Sequence, residues 1–373
     1  MAGRAAASSR NVPEALSPAE SLARIDALLG EQVRLGATAG VTLGIARAGE
    51  LFYARGYGEA DRERLIPAAE GTRYRVASLT SQFTAAGILW LAEKKQLAVD
   101  DLLARYVPEY AHAGAIPLRA LLNQCSGISP NTAAAFAGVF ATASAADVIA
   151  RLSRFELVSA PGAHFENAHA NYYLLGVVLE RVAAMTYARF VREVIALPLG
   201  LGDTFLDGTR PEASVAAAYN ADAGAIVPVA PWSVDYTFSA AGLISTAGDL
   251  LRWNAALRGD RLLSATSWST MTTVPGSSSS SDYAMGLVVN SKSVGKEEAV
   301  RIWHNGRAGG AHAMNAQYRD VDYDVVLLAN TNGSNGIVPE HLANVIVGFL
   351  APQCAFADTH VPAPGASASP IAS

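Results

Sequence analysis

The stretch Val76-Ala77-Ser78-Leu79-Thr80-Ser81-Gln82-Phe83-Thr84-Ala85-Ala86 decides how the rest of the chain is read. A short extended run, Thr72 to Val76, leads into Ser78. From there Phe83, Ile88, Leu89, Leu91 and Leu97 recur at helical spacing and predict a helix of about five turns. A serine at the head of a buried helix is well placed to act as a nucleophile. Its backbone N–H is one of the donors the first turn leaves unpaired, and the helix dipole favours negative charge there. The same position also suits a plain capping serine, so the choice rests on residues further along.

The 373 residues suffice for one large domain or two coupled lobes with ample interior. With 51% apolar and 16% charged residues the composition is that of a buried, globular protein. A net charge of −5 without a basic tract argues against nucleic acid as the main partner. The four lysines are Lys94, Lys95, Lys292 and Lys296, so a catalytic lysine has few sources. Cys125 and Cys354 stand far apart, which predicts no structural disulfide, and no metal-ligand spacing occurs. Residues 1–17 lack the apolar core of a secretory signal, and no apolar run is long enough to span a bilayer. The expectation is a cytoplasmic protein with a small-molecule substrate, no cofactor and no membrane partner.

Ser17-Pro18-Ala19-Glu20 has the pattern of a capped helix start. Leu22, Ile25, Leu28, Leu29 and Val33 continue it as an amphipathic helix. Gly40 to Ala46 alternates as a strand, Gly49-Glu50 makes a hairpin turn, and Leu51 to Gly58 returns beside it. From about 108 to 245 the chain changes to short helices and Pro/Gly turns, with helices expected over Leu118–Gln124, Ala145–Leu152, Asn171–Met185 and Tyr187–Ala196. Residues 239–248 read as a glycine-rich turn feeding a capped helix over 249–257. After a polar loop over 276–282, strands are expected over Tyr283–Asn290, Ala299–His304, Ala311–Tyr318 and Asp324–Asn330, and Pro339–Leu350 reads as a closing helix. The organisation is therefore a disordered N-terminus (1–17), a domain over 18–350 and a disordered tail (351–373). Within the domain, a sheet lobe of about 18–107 and 246–350 receives an inserted helical lobe of about 108–245.

With these pieces in order, the chain resembles the serine β-lactamase-like hydrolases: class C β-lactamases, low-molecular-weight penicillin-binding proteins, D-aminopeptidases and related esterases and transacylases. The resemblance runs over about residues 20–350. It is carried by Tyr53–Asp61 with Ile66-Pro67, the Ser78 helix, Leu118–Gly127, Pro161-Gly162 through Gly176, Gly242–Thr246 and His304-Asn305-Gly306. It implies an α+β fold of the β-lactamase/transpeptidase type, an antiparallel sheet flanked by helices with an inserted helical lobe. It also places Ser78 at the nucleophile position. His304-Asn305-Gly306 falls on the strand motif, so the N–H groups of Ser78 and Arg307 would hold an oxyanion.

Two positions depart from the family pattern. Ser81 stands where a lysine would take the serine's proton, and Asn167-Ala168-His169 stands where a Tyr-x-Asn motif belongs. Neither a hydroxyl nor a carboxamide accepts a proton usefully near neutral pH, and general-base help is worth about 10²–10⁴-fold in rate. Three readings follow. One is a repurposed enzyme, plausibly of secondary metabolism, in which His169 serves as acid/base and His304 with the oxyanion amides stabilises a carbonyl. Another is an inactive member kept for ligand binding or scaffolding, and the third a weak esterase or transacylase that pairs Ser78 with His169. In the first, Ser81, Asn167, Asn305, Gly306 and Arg307 complete the pocket, Arg307 either binding a substrate carboxylate or facing solvent. His312 reads as a satisfied strand histidine, Cys125 as a buried small residue, and Trp232, Tyr236 and Phe238 as an aromatic wall or as core.

Overall fold

The computed structural model describes residues 16–132, 144–222, 224–276, 282–295, 297–358 and 360. Two apolar runs far apart in sequence, Gly40–Arg47 and Tyr323–Ala329, lie side by side at the centre of a seven-stranded sheet. They pair antiparallel from Val41–Ala329 to Arg47–Tyr323. Every residue of the second run is buried, which requires cover on both faces. The strands run in the order Ile66–Pro67, Glu50–Asp61, Gly40–Arg47, Tyr323–Ala329, Ala311–Tyr318, Glu297–Ala308 and Val288–Val294. The expected hairpins and closing meander are present.

Alternation along the strands sends successive side chains to opposite layers. Leu43, Ile45, Met314, Val325 and Leu327 meet Ile25, Leu29, Val345 and Ile346 of the helices Pro18–Arg34 and Pro339–Leu350. Val326, Leu328 and Ala313 meet Phe83 and Trp253 on the other side, where those two rings stack at 4.1 Å. The first helix starts as its sequence predicts: the Glu20 amide donates to Ser17 Oγ, and the Glu20 carboxylate accepts from the Ser17 amide. The stretch before Gly242 supplies helices Leu118–Leu122, Ala145–Leu152, His169–Ala183, Tyr187–Phe190 and Val234–Ala241.

The structure departs from the sequence reading in several places, among them strands Tyr219–Asp222 and Ala225–Pro228 inside the expected helical lobe. Leu243–Ser245 is a strand, not part of a turn, and forms the middle of a small sheet between Tyr74–Arg75 and Phe205–Leu206. Regular pairing after the polar loop begins at Val288, while Tyr283 contributes one isolated bridge to that residue. Residues 351–358 lie against the sheet with Cys354 and Phe356 buried, where the sequence reading starts its loose tail. The remainder of that tail apart from His360, nearly all of the predicted N-terminal segment and residues 277–281 of the polar loop lie outside the described residues. Among the described residues no helix is long and apolar enough to cross a membrane.

One buried ion pair ties the sheet to the helix Ala247–Arg258. Arg258 donates from two guanidinium nitrogens to the two oxygens of Asp324, at 2.7 and 2.8 Å, and Asp324 is 3% exposed. Removing one partner of such a pair strands a buried charge. Arg258→Ala should lower the urea-unfolding free energy by about 3–5 kcal/mol, and Arg258→Met with Asp324→Leu should recover most of that loss.

Candidate active site at Ser78

The small sheet fixes the approach to Ser78. Tyr74–Arg75 pairs with Leu243–Ser245, and the Val76 amide donates to the Leu243 carbonyl at 3.0 Å. The chain then reverses through Ala77, whose φ of +47° lies in the left-handed region. A non-glycine residue there stores about 1–3 kcal/mol and persists only where its surroundings enforce it. Here Thr80 does the enforcing: its hydroxyl donates to the Ala77 carbonyl at 2.7 Å and accepts from the Leu243 amide at 3.0 Å. A single 3-10 turn, Ala77–Leu79, runs into the α-helix Thr80–Glu93. Ser78 is half-exposed, although its neighbours Val76, Ala77 and Leu79 through Leu89 are all buried. It is not a capping serine, because the helix has Leu79 at its cap position and no side-chain cap.

The strand Glu297–Ala308 meets this turn through Gly306. A Cβ on Gly306 would stand 2.3 Å from the Val76 carbonyl oxygen and 2.9 Å from the Ser78 amide nitrogen. Only glycine admits that approach. Alternation then sorts the strand motif into two faces. His304 and Gly306 share the Ser78 side, whereas Asn305 and Arg307 point the other way. The Asn305 amide donates to Glu340 on the Pro339–Leu350 helix, and His312 donates to the same carboxylate at 2.9 Å. The exposed Arg307 guanidinium donates to Asn332 Oδ1 at 3.1 and 2.9 Å. The side chains of Asn305 and Arg307 therefore do not line the Ser78 site, and only the Arg307 backbone stays a candidate.

The two histidines expected to converge have different settings. His304 is 4% exposed, and its Nδ1 lies 2.5 Å from the Asn305 carbonyl, so Nδ1 carries the proton. Nε2 is left as an acceptor and faces the Tyr283 hydroxyl at 3.3 Å. His169 opens the helix His169–Ala183, donates from Nε2 to the Tyr236 carbonyl at 2.6 Å and stacks on the Tyr236 ring at 4.4 Å. Burial lowers both imidazoles to a pKa of about 4, with the hydrogen bonds to Tyr236 and Asn305 pulling partly the other way. His169 is therefore uncharged at neutral pH, not poised near pH 7 as its residue type alone suggested. These ring nitrogens face groups other than the Ser78 hydroxyl: the Tyr236 carbonyl for His169 Nε2, and the Asn305 carbonyl and Tyr283 hydroxyl for His304.

The changed base positions are also engaged elsewhere. Ser81, 4% exposed, points its hydroxyl at the Ala240 carbonyl at 3.4 Å. The exposed Asn167 accepts from Gln124 Nε2 at 3.2 Å, while Gln124 Oε1 takes the Ala168 amide at 3.1 Å and also accepts from Asn171. Sequence reasoning missed the group at the centre of this cluster. The Tyr283 phenol is buried among His304, Tyr172, Gln124 and Ser81. Burial pushes its ionisation well above the ordinary tyrosine range, and hydrogen bonding with Tyr172, Gln124 and Ser81 offsets this only in part. Tyr172 is raised for the same first reason, and its hydroxyl donates to the Leu122 carbonyl at 2.7 Å. Gln124 sits inside a stretch that carries the family resemblance, but nothing in the pattern marks Tyr283. Among the described residues no group of three His, Cys, Asp or Glu side chains could hold a metal.

A helix-head serine abutting a glycine-bearing strand, on a seven-stranded antiparallel sheet with flanking helices, defines a β-lactamase/transpeptidase-type protein. The chain belongs to the β-lactamase family, whose model matches residues 25–347. It is 25% identical over 342 residues to Protein flp of Staphylococcus aureus (strain MW2), covering 88% of this chain and 67% of that one. It is 29% identical over 281 residues to Esterase EstB of Burkholderia gladioli, covering 65% and 71%. The D-amino acid amidase of Ochrobactrum anthropi SV3, solved with D-phenylalanine, shares the fold with a TM-score of 0.77 at 20% identity, over 89% of this chain and 99% of that one.

The uncharged state of His304 has a measurable cost in acid. Its pKa of about 4 in the folded protein lies below the ordinary 6.5, so the unfolded chain binds the proton first as pH falls. The stabilisation is complete above pH 6.5, declines toward pH 4 and is gone below it. His304→Gln should flatten the fall of unfolding free energy across this window by up to about 1.4 kcal/mol per pH unit. Denaturant titrations at stepped pH would measure it.

Proposed function

We propose that this protein is an enzyme that has kept the family's scaffold and carbonyl-binding position but does not run a lysine-activated acyl-enzyme cycle. It acts on a small carbonyl- or acyl-bearing compound. The observation that carries this reading is the state of the serine and of the positions that should activate it. Among the described residues no basic side chain hydrogen-bonds to the Ser78 hydroxyl, Ser81 faces the Ala240 carbonyl, and Asn167 is held by Gln124.

The retained parts favour polarisation of a carbonyl over attack on it. A carbonyl oxygen placed at the head of the Ser78 helix meets the Ser78 amide, the Ser78 hydroxyl as a donor and, across Gly306, the Arg307 backbone. The Tyr283–His304 pair adds a neutral hydrogen-bonding group to the site, because the Nε2 of His304 accepts and faces the Tyr283 hydroxyl at 3.3 Å. His169, tied to Tyr236, serves as a neutral wall of the site and not as its base. Against the alternative in which His169 activates Ser78 stands the hydrogen bond that His169 Nε2 donates to the Tyr236 carbonyl.

Incubation with a fluorophosphonate or a penicillin, followed by intact-mass measurement, should leave wild-type Ser78 unmodified. The double variant Ser81→Lys with Asn167→Tyr restores both family bases and should label at least about 10²-fold faster. Rapid stoichiometric labelling of the wild type at Ser78 would overturn the proposal.

A further inference from the structure

The side chains that point away from Ser78 bear on how His304 is held, and this step rests on the function proposed above, in which His304 supplies an accepting nitrogen. The ladder between Glu297–Ala308 and Val288–Val294 ends at Trp303 opposite Val288. Beyond it, residues 304–308 pair only with residues 311–315 among the described residues. A strand with one open side has backbone groups left for other partners. At Asn305 the carbonyl accepts the proton of His304 Nδ1 at 2.5 Å. Which nitrogen of that ring is left as acceptor therefore depends on how firmly the Asn305 peptide is fixed.

The grip comes from behind the sheet. Asn305 lies opposite Met314 and His312 opposite Arg307, so the Asn305 and His312 side chains share the face covered by the helix Pro339–Leu350. Glu340, in the first turn of that helix, accepts from the Asn305 side-chain amide and from His312 Nε2, both on Oε1. Its side chain is 13% exposed and that of His312 2%. Burial opposes ionisation of Glu340, but the attraction of His312 and the hydrogen bonds from His312 and Asn305 outweigh it and hold the carboxyl below the usual carboxylate range. A charged acceptor makes a stronger bond than a neutral one, and a buried one is little screened. Arg307, next on this face, is anchored to Asn332, but at an exposed site where water competes for the same groups. The Glu340 contact is the stronger of the two anchors.

We propose that Glu340, braced by His312, is a positioning residue for His304. It holds the Asn305 side chain, this fixes the peptide whose carbonyl takes the Nδ1 proton, and Nε2 is thereby kept as the acceptor facing Tyr283. The second carboxylate oxygen, Oε2, is buried without a hydrogen-bond partner among the described residues, so Oε1 alone makes the grip.

Long-range proton–nitrogen NMR of the intact protein at pH 7 reads which His304 nitrogen carries the proton. Glu340→Ala should move His304 toward the Nε2-protonated form by at least about threefold, within the worth of one hydrogen bond. Glu340→Gln, which retains Oε1, should keep the wild-type tautomer. His169 should stay protonated on Nε2 in every variant, because its bond runs to Tyr236, whereas a general loosening of the fold would move both rings. Glu340→Ala leaves His312 without its buried partner, so Asn305→Ala, which spares the Glu340–His312 pair, makes the same test should the first variant fail to fold. Melting temperatures confirm folding. His304 held on Nδ1 in folded Glu340→Ala or Asn305→Ala, or an equal shift in Glu340→Gln, would refute the proposal. Fluorophosphonate treatment of the wild type separates the two claims. An adduct at Ser78 contradicts the proposed function, whereas an unmoved tautomer contradicts only the role of Glu340.

Discussion

The contact of Gly306 with the Val76 carbonyl and the Ser78 amide is the constraint on which the site depends. A single Cβ there would sit well inside contact distance of the backbone, so sheet and serine turn could not close on one another. The closure brings His304 to the same side as Ser78 and sends Asn305 and Arg307 to the back. It also works against strain, because Ala77 must hold a left-handed conformation to turn the chain from the small sheet into the helix. The Thr80 hydroxyl and the Leu243 strand hold that conformation in place. The backbone of the site is therefore intact and braced.

What has changed is the chemistry laid on that backbone. A serine nucleophile needs a group that takes its proton, and such a group must be both basic and adjacent. Ser81 and Asn167 are not basic, and His169 spends its Nε2 proton on a carbonyl while its ring lies flat on Tyr236. Burial keeps both histidines neutral. Neutral donors and an imidazole nitrogen that only accepts are the features on which the proposed polarisation of a carbonyl rests.

Much of this was legible in the sequence, and the parts that were not have physical causes. Period-2 and helical patterns located the central strands, the Ser78 helix and Pro339–Leu350, because those elements bury wide apolar faces. Leu243–Ser245 escaped because a three-residue strand paired in a small separate sheet leaves too short a pattern beside glycines. The motif His304-Asn305-Gly306 was found as a unit, but a strand motif alternates faces, and treating it as one lining overcounted Asn305 and Arg307. Tyr283 escaped for a different reason. It reaches the site as an isolated residue ahead of Val288, and only the fold sets it beside Ser81.

The central claim is that neither His169 nor His304 serves Ser78 as a base and that both rings are neutral at pH 7. Long-range proton–nitrogen NMR of the imidazole rings reports this directly, since it reads the protonation state of each ring nitrogen. At pH 7 the account predicts two neutral rings of opposite tautomer, His169 with its proton on Nε2 and His304 with its proton on Nδ1. An imidazolium at either position, or a His304 ring protonated on Nε2, would contradict it.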